Sequence, residues 1–199
     1  MSITSDAPRS LVIIVGSATR PGRLHRAIEE AEARATTRHP AATTRVIDLA
    51  PLRIAWADGR PADTLGDDTA DVLAAIAAAD AVVLATPVYR GSLTGVLKNL
   101  IDHLPVEALR DTPTGIAAMG ASDHHYLGVE RHLRDILAFF GAVVAPTAVY
   151  LTSADFTDGA PGPRAGEQLD ALIDTVLALS AALADVGPLG PPPLTAPRT

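Results

Sequence analysis

Apolar residues fall along this chain in two alternating rhythms. Short unbroken runs, rich in β-branched side chains, alternate with longer stretches in which apolar positions recur every three to four residues. Leu11 to Val15 (LVIIV), Ala81 to Ala85 (AVVLA) and Thr114 to Met119 (TGIAAM) are runs of the first kind. Each predicts a strand covered on both faces. Arg45 to Leu49 (RVIDL) predicts another. Ala142 to Leu151 contains a fifth, in which Pro146 leaves the start and the edge placement open. Helices are predicted from about Leu24 to Thr37, Asp67 to Ala79, Leu93 to about His103, from the loop GASDHH to Phe140, and from Gln168 to Ala184. The clearest stripe is Leu93, Val96, Leu97, Leu100, Ile101 and Leu104. Ala50 to Gly66 holds two prolines, two glycines and the only Trp, and reads as irregular.

Strand and helix thus alternate five times, the pattern of a parallel α/β sheet with helices on both faces. Such sheets bind ligands at the carboxyl ends of their strands, beside a switch in strand order. That rule selects three loops: 16 to 23, 86 to 92 and 119 to 125. Residues 9–186 form the expected single domain. Residues 1–8 and the Pro-rich tail 187–199, with five prolines, are expected to be disordered.

Composition narrows the function. The chain has 199 residues, 48% of them hydrophobic, enough for one sizeable core. Only 4% are aromatic, so Ala, Val, Leu and Ile must build it. No apolar run reaches the roughly 18 residues that a membrane span needs. The start, MSITSDAPRS, lacks the features of a secretory leader, and the expected location is cytoplasmic. The absence of cysteine excludes disulfides, thiolate catalysis and Cys-ligated metal. A net charge of -7 opposes binding to nucleic acid or an anionic membrane. Yet from Ala7 to Ile28 there is no acid, while Arg9, Arg20, Arg23 and Arg26 all fall there. Either a small anionic ligand or chance clustering in an Arg-rich chain accounts for this.

The first loop reads Gly16-Ser17-Ala18-Thr19-Arg20-Pro21-Gly22-Arg23. It leads from a buried strand into a helix N-terminus, where free amides and the helix dipole favour a phosphate. Ser17 and Thr19 add hydroxyls; Arg20 and Arg23 add charge and bidentate geometry. The loop is neither GxGxxG nor a GxxxxGK[ST] P-loop, which disfavours ATP and a Rossmann-type dinucleotide site. An ordinary capped turn has a similar composition. The second loop opens the stretch TPVYRGSLTGVLKNLID, residues 86 to 102. Pro87 and Gly91 bend the chain without bulk. Tyr89 presents a ring to a planar ligand or covers the sheet end. Gly91 and Ser92 expose donors.

Taken together, GSATRPGR and TPVYRGSLTGVLKNLID resemble the NAD(P)H-dependent FMN reductase family, from about Arg9 to Ala184. Within it the chain most resembles flavin reductases of two-component monooxygenases, including the alkanesulfonate type. The resemblance implies a flavodoxin-like sandwich, with a five-stranded parallel sheet of order 2-1-3-4-5. It implies FMN, with NADPH or NADH as hydride donor. Ser17, Thr19, Gly22, Arg23 and Leu24 would hold the FMN phosphate. Pro87, Val88, Tyr89, Arg90, Gly91 and Ser92 would line the ribityl chain and ring, with the main chain of Arg90 to Ser92 near flavin N5. Met119, Gly120, Ala121 and Ser122 would close the far edge. Relatives often carry Ser and Thr where this chain has Gly22 and Leu24, which removes about 1 kcal/mol per lost hydrogen bond. Ala121 replaces the second residue of a Gly-Gly.

The resemblance further implies a homodimer or tetramer, with a partner monooxygenase as recipient of reduced FMN. An FMN-holding quinone, azo-dye or chromate reductase is the second enzyme reading. A flavodoxin-like electron carrier and a nucleotide-binding module without turnover are the non-reductase readings. Lys98, the only lysine, reads as a surface residue able to pair with Asp102. His124, His125 and His132 lack a carboxylate cluster and read as a solvated or subunit-facing surface, with no metal.

Overall fold

The computed structural model describes residues 8–19 and 21–191. The order of residues 1–7 and 192–199, and the place of Arg20, therefore lie outside the described residues. The chain runs β1 (Ser10–Val15), α1 (Arg23–Arg38), β2 (Thr43–Asp48), α2 (Thr69–Ala77), β3 (Ala81–Pro87), α3 (Gly95–His103), β4 (Pro113–Met119), α4 (Tyr126–Phe140), β5 (Val143–Val144), β6 (Val149–Leu151), β7 (Phe156–Thr157), β8 (Ala160–Pro161) and α5 (Pro163–Leu183). The main sheet has the order β2-β1-β3-β4-β5, with β6 also paired to β4, and all its pairings are parallel. This is the flavodoxin-like arrangement, whose ligand crevice lies at the β1/β3 switch.

The continuous apolar runs follow from burial on both faces. Leu11, Ile13 and Val15 pack with Leu24, Ala27 and Ile28 of α1 and Leu169, Leu172 and Ile173 of α5. Val12 and Ile14 pack with Val72 and Ile76 of α2, Leu97 and Leu100 of α3 and Leu133 of α4. Alternate residues of one strand therefore serve two cores, so no polar face is left to interrupt the run. Arg34 and Arg38 pair with Asp170, and Arg38 and His39 with Asp174, which ties α1 to α5.

Several boundaries differ from the sequence expectation. β2 starts two residues earlier, at Thr43, and Leu49 is buried just beyond its end. The fifth strand is broken in two around Pro146, which has no amide to donate to β4. α5 begins at Pro163, favoured at a first helical position, rather than at Gln168. The β7–β8 hairpin was not anticipated. Its turn places Asp158 at φ 51° and Gly159 at φ 78°. Lys98 does pair with Asp102, at 2.5 Å.

Candidate functional site

The first loop is fixed by its neighbours before it reaches any ligand. The Gly16 amide donates to the Ala85 carbonyl at 2.7 Å, and its carbonyl accepts the Thr94 hydroxyl at 2.6 Å. A Cβ at Gly16 would stand 2.6 Å from the Leu97 Cβ, so only glycine permits this approach. Thr94, fully buried, also caps α3 by accepting the Leu97 amide at 3.1 Å, and its own amide donates to the Thr86 hydroxyl at 3.2 Å. One threonine thus joins the end of β1 to the end of β3.

Beyond Gly16 the chain turns into α1. Gly22 occupies the N-cap and offers no side chain, and no acid lies in the first turn. The first helical bond is Arg26 N–H to the Gly22 carbonyl, at 3.0 Å. Among the described residues the amides of Arg23, Leu24 and His25 have no partner, which leaves a partial positive charge facing the loop. The Arg23 guanidinium lies over the Phe156 ring, 5.5 Å from its centroid.

The second loop is a tight reversal. Tyr89 and Ser92 exchange amide–carbonyl bonds of 2.9 and 3.1 Å, with Arg90 at φ 52° and Gly91 at φ 77°. Both central residues at positive φ make a type I′ turn, and for Arg90 that conformation is strained. The amides of Arg90 and Gly91 have no partner among the described residues. Helix α4 buttresses this turn: Ser92 Oγ lies 2.9 Å from His132 Nδ1, and a Cβ at Gly128 would stand 2.9 Å from the Gly91 carbonyl oxygen. His132 is exposed, as expected of a solvated helix surface, and it also makes a bracing contact with Ser92.

The third loop is held from β3 and β6. The Val88 amide donates to the Met119 carbonyl at 2.8 Å, and the Gly120 amide to the Leu151 carbonyl at 2.9 Å. The Tyr150 hydroxyl donates to the Ser122 carbonyl at 2.8 Å and fills the space a Gly120 side chain would need. Burial, and secondarily the charge of Asp123, push the Tyr150 phenol above its ordinary range.

These loops enclose a cleft of about 270 Å³. Ser17, Thr19, Gly22, Arg23 and Leu24 line it from the first loop, Pro87 and Tyr89 from the second, Met119, Gly120 and Ala121 from the third. Val88, Arg90, Gly91, Ser92 and Ser122 stand in the same loops but do not line it. His25 lines it too, although the sequence did not single it out. Its ring lies 3.2 Å from Glu29 and 3.5 Å from Asp48. The signal was available: His25 is the third residue of a helix that follows the phosphate-type loop. A larger cavity, about 500 Å³, lies at the β5 edge of the sheet, against Val143 and Leu189. It lies away from the crevice that this strand order creates. Among the described residues no group of three His, Asp or Glu side chains is placed to hold a metal, and no helix is long and apolar enough to cross a membrane.

Residues 9–156 match a family described as NADPH-dependent FMN reductase. The NAD(P)H-dependent FAD/FMN reductase of Geobacillus thermodenitrificans is 37% identical over 119 residues, 60% of this chain and 64% of that one. The NADH-dependent FMN reductase SfnF of Pseudomonas putida is 31% identical over 169 residues, 84% of this chain and 91% of that one. Among the curated relatives of highest similarity, the matched stretch spans 64%, 46% and 46% of their length. The apo structure of the NADH:FMN oxidoreductase EMOB superposes with a TM-score of 0.71 at 26% identity, covering 89% of this chain and 91% of that one.

Proposed function

The chain belongs to the NADPH-dependent FMN reductase family, and from that premise we propose that it reduces FMN with NADPH or NADH. One observation carries the reading: three loops singled out by the sequence converge on one cleft, and the helix opening onto it has no cap of its own. The residues fit the group. Unpartnered amides of Arg23, Leu24 and His25 suit a phosphate, and the Ser17 and Thr19 hydroxyls and the Arg23 guanidinium add donors.

When bound, FMN supplies the hydride acceptor, so the chain has no acid or base to provide. Its work is to bind and orient. Gly22 keeps the phosphate end free of bulk, and Gly16 lets the loop close on Leu97. Tyr89, 45% exposed, offers a ring face at the rim. The unpartnered amides of Arg90 and Gly91 are the donors available to ring heteroatoms. The cleft's exposed Arg23 and Tyr89 support FMN that exchanges as a substrate and leaves reduced for a partner monooxygenase. Tyr126, Leu127 and Phe139 stand exposed on α4, which supports a homo-oligomer formed there.

NAD(P)H oxidation, with and without added FMN, on protein whose visible spectrum is known tests the reading. Colourless protein that turns over only with added FMN supports it. Yellow protein that needs a quinone or dye makes FMN a held group. No oxidation in either case overturns it.

A further inference from the structure

We propose that Phe156 is a positioning residue for the Arg23 guanidinium and, through it, sets a preference for flavins that carry a terminal phosphate. The inference rests on the flavin reading above. Arg23 lines the cleft, and apart from the Phe156 ring its side chain makes no hydrogen bond or ion pair among the described residues. The contact matters because of its shape. A guanidinium stacks on a ring through its face, whereas its N–H groups all lie in its plane. The Arg23 Cζ lies over the Phe156 ring at 5.5 Å, within cation–π range, and a contact through the guanidinium face is the arrangement that leaves the donor edge to a phosphate. An unsupported arginine at a helix N-terminus would lose rotamer freedom on gripping an anion, and stacking removes part of that loss beforehand.

Phe156 is itself well anchored. It packs partly buried against the α1–α5 core and opens the β7–β8 hairpin. The residue before it, Asp155, is buried and receives Arg164 Nε and Nη2 at 2.7 and 3.0 Å, and the Thr152 amide at 2.7 Å. The Gly162 amide donates to the Asp155 carbonyl at 2.7 Å, closing the hairpin's base. The hairpin packs along α1, and a Cβ at Gly159 would stand 3.3 Å from Arg26 Nη1. The family match ends at residue 156, so the rest of this hairpin lies beyond it. Gly22 and Leu24 supply no hydroxyl to the phosphate end, which raises the share left to Arg23.

The test compares dissociation constants of FMN and riboflavin, which lacks the phosphate, by flavin fluorescence quenching. Phe156→Leu keeps apolar volume and removes the ring; Phe156→Tyr keeps the ring. Phe156→Leu is expected to weaken FMN about two- to fivefold and to leave riboflavin unchanged. Phe156→Tyr should match the parent for both, and in an Arg23→Ala background Phe156→Leu should cause no further loss. Phe156→Met provides the same arm if Phe156→Leu does not fold. Unaltered FMN affinity overturns the proposal, and so does equal weakening of FMN and riboflavin. A parent protein that binds neither flavin overturns the flavin reading and the proposal with it.

Discussion

The Thr94 hydroxyl donates to the Gly16 carbonyl at 2.6 Å while accepting the Leu97 amide at 3.1 Å. A single buried oxygen thus holds the phosphate-type loop to the helix that follows the ring-type loop. Thr94→Val keeps the shape and removes both bonds. It is expected to cost about 1–2 kcal/mol, read from the denaturant midpoint, and to weaken FMN binding. An unchanged midpoint would contradict this role.

Legibility in the sequence followed burial. β1, β3 and β4 were readable because two cores claim alternate residues and leave unbroken apolar runs. β2 is an edge strand with a largely exposed first half, Thr43 to Arg45, and its start was hidden for that reason. The hairpin's Asp158-Gly159 pair was a turn signal that could have been read. Most of the cleft's lining was legible because loop chemistry is local in sequence, although His25 was missed and Val88, Arg90, Gly91, Ser92 and Ser122 do not reach the cleft. Its supports were not: Thr94, Gly128, His132 and Tyr150 act across 28 to 78 residues, through contacts only the fold creates. Thr94 had a local clue, as an N-cap residue ahead of an apolar stripe.

Gly120 and Tyr150 share one volume. Gly120→Ala places a methyl against the Tyr150 hydroxyl and is expected to cost about 1–3 kcal/mol. Tyr150→Phe alone loses the bond to Ser122, about 1 kcal/mol. In the Tyr150→Phe background the Gly120→Ala penalty should shrink. Equal penalties in both backgrounds would show that the two residues do not compete.

Gly128 separates stability from function. Alanine in a helix interior gains about 1 kcal/mol over glycine. Here its methyl would stand 2.9 Å from the Gly91 carbonyl oxygen and displace the turn. Gly128→Ala is therefore expected to leave the melting temperature near the parent's while turnover falls, up to about 100-fold for a 1 Å displacement. Unaltered kinetics would remove α4 as the turn's support.

Asp155 gives the hairpin a pH dependence. Burial pushes its carboxyl up, but hydrogen bonds from Arg164 and Thr152 outweigh that and hold it below the ordinary carboxylate range. A carboxyl depressed on folding contributes stability that is fully present above its unfolded value and lost as pH falls through its folded value. Asp155→Asn should cost about 1–3 kcal/mol at neutral pH, with the gap to the parent closing below about pH 4. A gap that stays constant through the acid range would contradict the linkage.

The central claim is that this cleft holds FMN by its phosphate at the start of α1. A crystal structure of the protein with FMN tests it most directly. The expected result is a phosphate within hydrogen-bond distance of the Arg23, Leu24 and His25 amides, with the ring beside Tyr89. A flavin bound elsewhere, or one whose phosphate points away from α1, would contradict the account.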